Sequence, residues 1–493
     1  MRAGNAIESG TGPTNGNGIG FSLKYAFLPR IFALLVGATA ITILIRIFSP
    51  DAPDPLISTA AIFVLLASAT VATFYRDFGN MLLWVLLVEA ALPIYQLSLY
   101  LIYDPDPIFF KLLPLFIGVL LLHFSGLRYS REQSIEYILW ILCNIPSFIV
   151  ASLDDRFELS NVSVLLFINV YYPVVVHYVA RQAQASGMTR SRMRDCLVIA
   201  VLAQCAVPLM LMPLELSFRD TDSLAALQFG ARSYAVIGLV LLIWPLFLES
   251  VPRWKIWWQA VAYGLIIATF VISFSRGALA VAAALLLGSI LFTNGRARVR
   301  MVVVVIALAL AFALFALIFP ETYDSVAGFW FLRLNIASND SSGFVFNLAE
   351  IADTGRGDIW GYALTYIPMA PIMGHGLGAT PELIREATWG MFGFSGMHNQ
   401  VLTVLVERGV IGFLGYAALI FRIVYLILTR VEPIMIRYRF LFSFSMFFIF
   451  ANTTGVELFI NGSTLINASA IVLLFLMVAY LEGLGRYTRL RRK

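Results

Sequence analysis

Residues 300–319 read RMVVVVIALALAFALFALIF, and the chain then breaks into polar sequence that lasts until about Gly409. Twenty helical residues rise about 30 Å, the thickness of a bilayer's hydrocarbon core. Runs of similar length recur on both sides of this one. Apolar residues make up 60% of 493 positions and charged residues 13%, with a mean hydropathy of +0.85. A soluble domain carries about 25% charged residues, so this composition describes a polytopic α-helical membrane protein. Window hydrophobicity gives about fourteen candidate spans. They lie at 31–48, 56–75, 80–102, 108–126, 135–153, 161–180, 195–214, 233–250, 256–275, 277–293, 300–319, 409–429, 439–456 and 463–482. The expected fold is all-α, with about twelve to fourteen transmembrane helices and one large outer loop containing short helices. The narrowest division falls at Ser275-Arg276.

The loops alternate in charge. One set holds Arg76, Arg128, Arg131, Arg181, Arg190, Arg192, Arg194, Arg253, Lys255, Arg296, Arg298, Arg300, Arg430, Arg437 and Arg439, and continues into the tail Arg489–Lys493. The other holds Asp51, Asp54, Asp104, Asp106, Asp154, Asp155, Asp220 and Asp222. The positive-inside rule then puts both termini in the cytoplasm and 321–409 outside. The net charge of +5 reports this asymmetry and implies no nucleic-acid partner. Five regions are expected: a disordered leader 1–29, an N-terminal bundle 30–319, an outer catalytic loop 320–408, C-terminal helices 409–483 and a basic tail 484–493. The leader has no cleavable-signal pattern. Cys143, Cys196 and Cys205 all fall inside spans, which supports neither a disulfide framework nor a metal site. No internal repeat is visible at the level of residue identity.

The polar interruption concentrates the residues that could do chemistry. Arg276, between two apolar runs, sits at the outer face against the charge bias; it reads either as a snorkelling headgroup contact or as an anion ligand. Arg356 opens Gly355-Arg356-Gly357-Asp358-Ile359-Trp360, where a short helix is expected to end before Pro368. Arginine at a helix N-terminus opposes the dipole, yet the same N–H groups and guanidinium together suit a phosphate. The plainer alternative is a surface pair of Arg356 with Asp358. His398 precedes Asn399-Gln400 at the entry to a membrane helix that leads to Glu407, with Gly409 as a breaker. Its imidazole suits a general base for a sugar hydroxyl at neutral pH. His375 shares the outer segment, while His123 and His177 read as structural. Glu89 within a span is a default functional candidate, and Asp51 with Asp54 forms either a turn or an acidic metal site. No P-loop, Rossmann or zinc spacing is present.

Four of these pieces in order resemble the O-antigen ligase and polymerase superfamily of bacterial envelope glycan enzymes. They are Phe274-Ser275-Arg276-Gly277, Thr354-Gly355-Arg356 through Trp360, Pro371-Ile372-Met373-Gly374-His375-Gly376-Leu377-Gly378, and His398-Asn399-Gln400 through Gly412. The resemblance covers about residues 256–430. It implies a type C glycosyltransferase-like architecture in the bacterial inner membrane with a periplasmic active site. It also implies transfer, without cofactor or metal and with inversion, of an undecaprenyl-diphosphate-linked glycan to an acceptor hydroxyl. Arg276 and Arg356 would bind the diphosphate, His398 would activate the acceptor, and Asp358, His375, Asn399 and Glu407 would support them. Gly357 stands where relatives often carry a hydroxyl residue, so that contact is missing. The acceptor separates a polymerase of O-antigen or exopolysaccharide repeat units from a ligase onto lipid A core, and a chain-length regulator is a further candidate partner. The high span count leans toward a polymerase. A transporter or flippase would instead place charges within the spans.

Overall fold

The computed structural model describes residues 134–154, 159–218, 223–272, 276–292, 356–387, 397, 399–453 and 470–491. Strand residues 337–339 and 343–345 and scattered positions at 79–86 and 295–317 are also described. The candidate spans 31–48, 56–75 and 108–126, with Asp51, Asp54, Glu89 and His123, lie outside the described residues. Of spans 80–102 and 300–319, only isolated helical positions are described.

The described chain is an all-α membrane protein. Helix α1 is Ser134–Ser152. Helix α2, Leu159–Leu166, continues through a π turn at Phe167–Tyr171 into α3, Tyr172–Ala185. The π turn stands just ahead of Pro173, whose ring withholds a backbone donor from the ladder. Gly187, at φ 96°, ends α3 in the left-handed region, and the Thr189 hydroxyl accepts from Arg192 N–H to start the next helix. Then come α4 (Arg190–Phe218), α5 (Ser223–Ser250), α6 (Ile256–Ile272) and α7 (Arg276–Phe292). The division expected at Ser275-Arg276 is thus a boundary between two helices. In the polar interruption, β1 (Ala337–Asn339) pairs antiparallel with β2 (Gly343–Val345), a small ladder where only short helices were expected. Two short helices follow, α8 (Arg356–Tyr366) and α9 (Thr380–Ala387). The last three are α10 (Gln400–Arg430), α11 (Ile434–Thr453) and α12 (Ala470–Arg491).

Among the described residues, three stretches are long and apolar enough to cross a membrane: Val236–Arg253, Gln400–Arg430 and Ile434–Thr453. Shorter apolar helices cover Tyr137–Ser152, Ile256–Val271, Ala280–Phe292 and Ala470–Leu484. Two helices form the centre. Residues 236–248 of α5 and 470–481 of α12 are buried throughout and pack against other helices, as a fully enclosed helix must. Helix α5 packs on α4, α6 and α11, while α12 packs on α3 and α10.

Polar side chains separate to the two ends of this bundle. At one end, Glu482 of α12 accepts from Arg422 Nη2 at 2.9 Å and lies 3.6 Å from Arg181. Nearby, Arg194 meets Asp195 and Glu249, and Arg190 donates to the Tyr480 hydroxyl at 2.9 Å. Arg181, Arg190 and Arg194, from the basic loops of the sequence, therefore cluster at this end. His177 is fully buried, hydrogen-bonded to the Tyr137 hydroxyl and to the Phe475 carbonyl at 3.0 Å, a structural histidine as expected. The opposite end carries the segment from α8 to the start of α10.

Candidate functional site

Helix α10 is broken at Gly409, whose φ of 59° and ψ of −164° belong to a region open to glycine alone. The break frees backbone groups, and a glycine-rich strap takes them up. The N–H of His375 donates to the Val406 carbonyl at 2.8 Å, and that of Gly376 to the Glu407 carbonyl at 3.0 Å. Below the break, Val410 N–H donates to Pro371 O at 2.9 Å and Ile411 N–H to Ile372 O at 3.2 Å. On its other side the strap meets α1. Leu377 N–H donates to Ser147 O at 3.3 Å, and the Ser147 hydroxyl donates to Glu407 O at 2.8 Å. A Cβ at Gly374 would sit 2.3 Å from the Glu407 carbonyl carbon, so only glycine permits this approach.

The two charged residues before the break are buried and turn to different partners. The Glu407 carboxylate accepts from Thr380 N–H at 3.4 Å, placing a negative group at the N-terminus of α9. Arg408 donates to the Asn144 side chain, whose own amide donates to Trp140 O at 2.7 Å. Glu407, expected as a supporting residue, therefore holds the strap and α9 in place.

A small second core joins α8, α9 and the start of α10. It contains Ile359, Ala363, Ala379, Leu383, Ile384, Met397 and Val406. His398 itself lies outside the described residues, but both its neighbours are held. The Trp360 indole donates to the Met397 carbonyl at 2.9 Å. Asn399 caps α10, its side-chain oxygen accepting from Leu402 N–H at 3.1 Å. From α11, the Asn452 side chain accepts from Val401 N–H at 2.9 Å. Trp360→Phe keeps an aromatic side chain but removes the donor and part of the indole, a loss of about 1 kcal/mol or more. The melting temperature in detergent is expected to fall accordingly; an unchanged melting temperature would show that this tether does not matter.

The side chains of Arg276, Arg356 and Asp358 also lie outside the described residues, but the helices they stand on are described. Arg276 opens α7, which runs antiparallel to α11: Phe292 at its far end accepts from Arg439 Nε at 2.6 Å. Its start therefore lies at the end of the bundle where Asn452 meets Val401. Arg356 opens α8 one turn before Trp360, which is tethered to Met397. The first residues of both helices thus share one end of the bundle with the start of α10. As expected, α8 ends before Pro368. His375 is half-buried, and its Nε2 lies 2.9 Å from the Tyr366 carbonyl. A carbonyl only accepts, so Nε2 is the donor in this contact.

Sequence reasoning missed Trp360, Asn144, Ser147 and Asn452 as parts of this site. A signal existed for two of them: Asn144-Ile145-Pro146-Ser147 is a polar, proline-containing interruption of an otherwise apolar span. Trp360 was legible only as the end of a motif, and Asn452 offered no signal, since each acts on a backbone group far away in sequence.

Residues 261–417 match a protein family described as O-antigen ligase. The matched segment runs from α6 through the polar interruption and the strap to just beyond the Gly409 break. No curated protein matches the chain.

Proposed function

From the premise that residues 261–417 match the O-antigen ligase family, which supports the resemblance to the ligase and polymerase superfamily, we propose a membrane glycosyltransferase. It transfers a glycan from undecaprenyl diphosphate to an acceptor hydroxyl at the periplasmic face of the inner membrane. The supporting observation is the convergence of two arginine-led helices, α7 and α8, with the held start of α10 at the end of the bundle opposite Arg181, Arg190 and Arg194.

In this reading the acceptor oxygen attacks the anomeric carbon from the face opposite the diphosphate, inverting that centre. His398 takes the hydroxyl proton as the new bond forms. The carbon–oxygen bond to the diphosphate breaks, and the leaving group keeps the electron pair. Arg276 and Arg356 stabilise the charge that gathers there, a contribution of several kcal/mol in a water-poor site. Helix N–H groups at the start of α8 add to this binding. The reaction needs no metal, because guanidinium groups supply the positive charge.

The favoured reaction is polymerisation of O-antigen or exopolysaccharide repeat units, supported by the high number of spans in the sequence. The family's description favours the second reading, ligation onto lipid A core. One assay tests both. Purified protein in liposomes receives undecaprenyl-diphosphate glycan with either lipid A core or more of the same donor. A ladder of chain lengths is expected for a polymerase and a single capped product for a ligase; no product with either acceptor would overturn the proposal. Activity should survive EDTA, and its loss would point to a metal-dependent enzyme.

Arg356→Lys keeps the charge but loses the planar fork that grips two phosphate oxygens. Transfer is expected to fall about a hundredfold, comparable with the removal of one preorganised donor. Full activity would rule out a bidentate diphosphate clamp at Arg356.

A further inference from the structure

No charged residue stands between Asp358 and Glu382, although this stretch lies within the polar interruption. Several of its apolar side chains face outward. Leu364 is 60% exposed, Met369 69% and Ile372 61%, and Met373 is also exposed. Ile372 lies directly over the break in α10, where a Cβ on Gly409 would come within 2.4 Å of its carbonyl. Below it, the exposed residues Val410, Leu414 and Phe421 continue along one face of a helix apolar enough to cross the membrane. The two sets join into one contiguous apolar surface, far more than scattered exposed side chains.

The backbone here also suits a water-poor setting. Pro368 and Pro371 carry no N–H, and those of Gly374, His375, Gly376 and Leu377 are all paired within the protein. The carbonyls of Ala370, Pro371 and Ile372 accept from Gly374, Val410 and Ile411. Non-helical backbone at membrane depth requires this kind of internal pairing.

We propose that residues 364–373 form a lip immersed in the acyl chains of the bilayer. Its occupant is lipid hydrocarbon, because the surface runs unbroken into the lipid-facing side of α10. A soluble partner would have to interrupt that side. The lip fixes the depth of this end of α10: the Gly409 break and the glycine strap paired with it come to lie just inside the acyl-chain boundary. This inference does not depend on which reaction the protein performs.

The test uses the full chain in liposomes of phosphatidylethanolamine and phosphatidylglycerol. A benzophenone amino acid replaces Met369 or Ile372 in turn, with Leu414 as the lipid-facing control and the exposed Glu386 of α9 as the water-facing control. After illumination, intact mass is measured. Positions 369 and 372 are expected to gain one phospholipid as often as position 414. Adducts no more frequent than at position 386, or crosslinks to a second copy of the chain, would overturn the lip.

Discussion

His398→Ala is expected to lower glycan transfer by about a hundredfold to ten-thousandfold, the range for loss of a general base. The protein should still insert, purify and melt as before. That separation follows from the described hydrogen bonds that hold the residues on either side of position 398. Trp360 holds Met397, Asn399 caps α10 with its own side chain, and Asn452 holds Val401. Removing the ring leaves these three contacts in place. Turnover of the purified variant in liposomes, read beside its melting temperature, checks this directly. Near-normal transfer would remove His398 from the role of base.

Gly409→Ala should produce the largest stability loss, about 3 kcal/mol or more. Two costs combine. The backbone at φ 59° and ψ −164° lies where an L side chain is strained. The added Cβ would also stand 2.4 Å from the carbon and oxygen of Ile372 and 2.6 Å from the nitrogen of Gly374, all main-chain atoms that cannot rotate away. Gly361→Ala is the matched control: it lies within α8, and its Cβ would meet nothing within 4 Å. There alanine should be neutral or stabilise by up to about 1 kcal/mol, the difference in helix propensity. Thermal unfolding of the two variants in one detergent compares them. Equal melting temperatures would mean that the strap does not lean on the break.

The same glycine shows how far sequence reading reaches. A breaker near Gly409 was legible because glycine after a polar helical stretch is a local signal. That the chain continues as a helix was expected in the span 409–429, but that Pro371 through Gly376 replace the lost backbone partners was not. The partners stand more than thirty positions earlier in the sequence, and periodicity carries no information about such pairs. Glu407 shows a similar limit. Its place before a membrane helix marked it as unusual, but its task of holding Thr380 and the strap depends on a contact across 27 residues. The stretch between Asp358 and Glu382 carried a readable cue in its lack of charge, masked by the polar residues on both sides.

Sequence alone determined that this chain is a bundle of apolar helices, where α7 and α8 begin, and that α8 stops before Pro368. These are local properties, set by the length of apolar runs, by helix-breaking residues and by the absence of charge. Only the tertiary structure decided that the strap enters the break in α10, that Trp360 and Asn452 hold the residues around His398, and that Arg181, Arg190 and Arg194 lie at the far end from all of them. Each of these is a pairing between backbone or side-chain groups distant in sequence. Buried donors and acceptors must find partners, but composition does not say which ones.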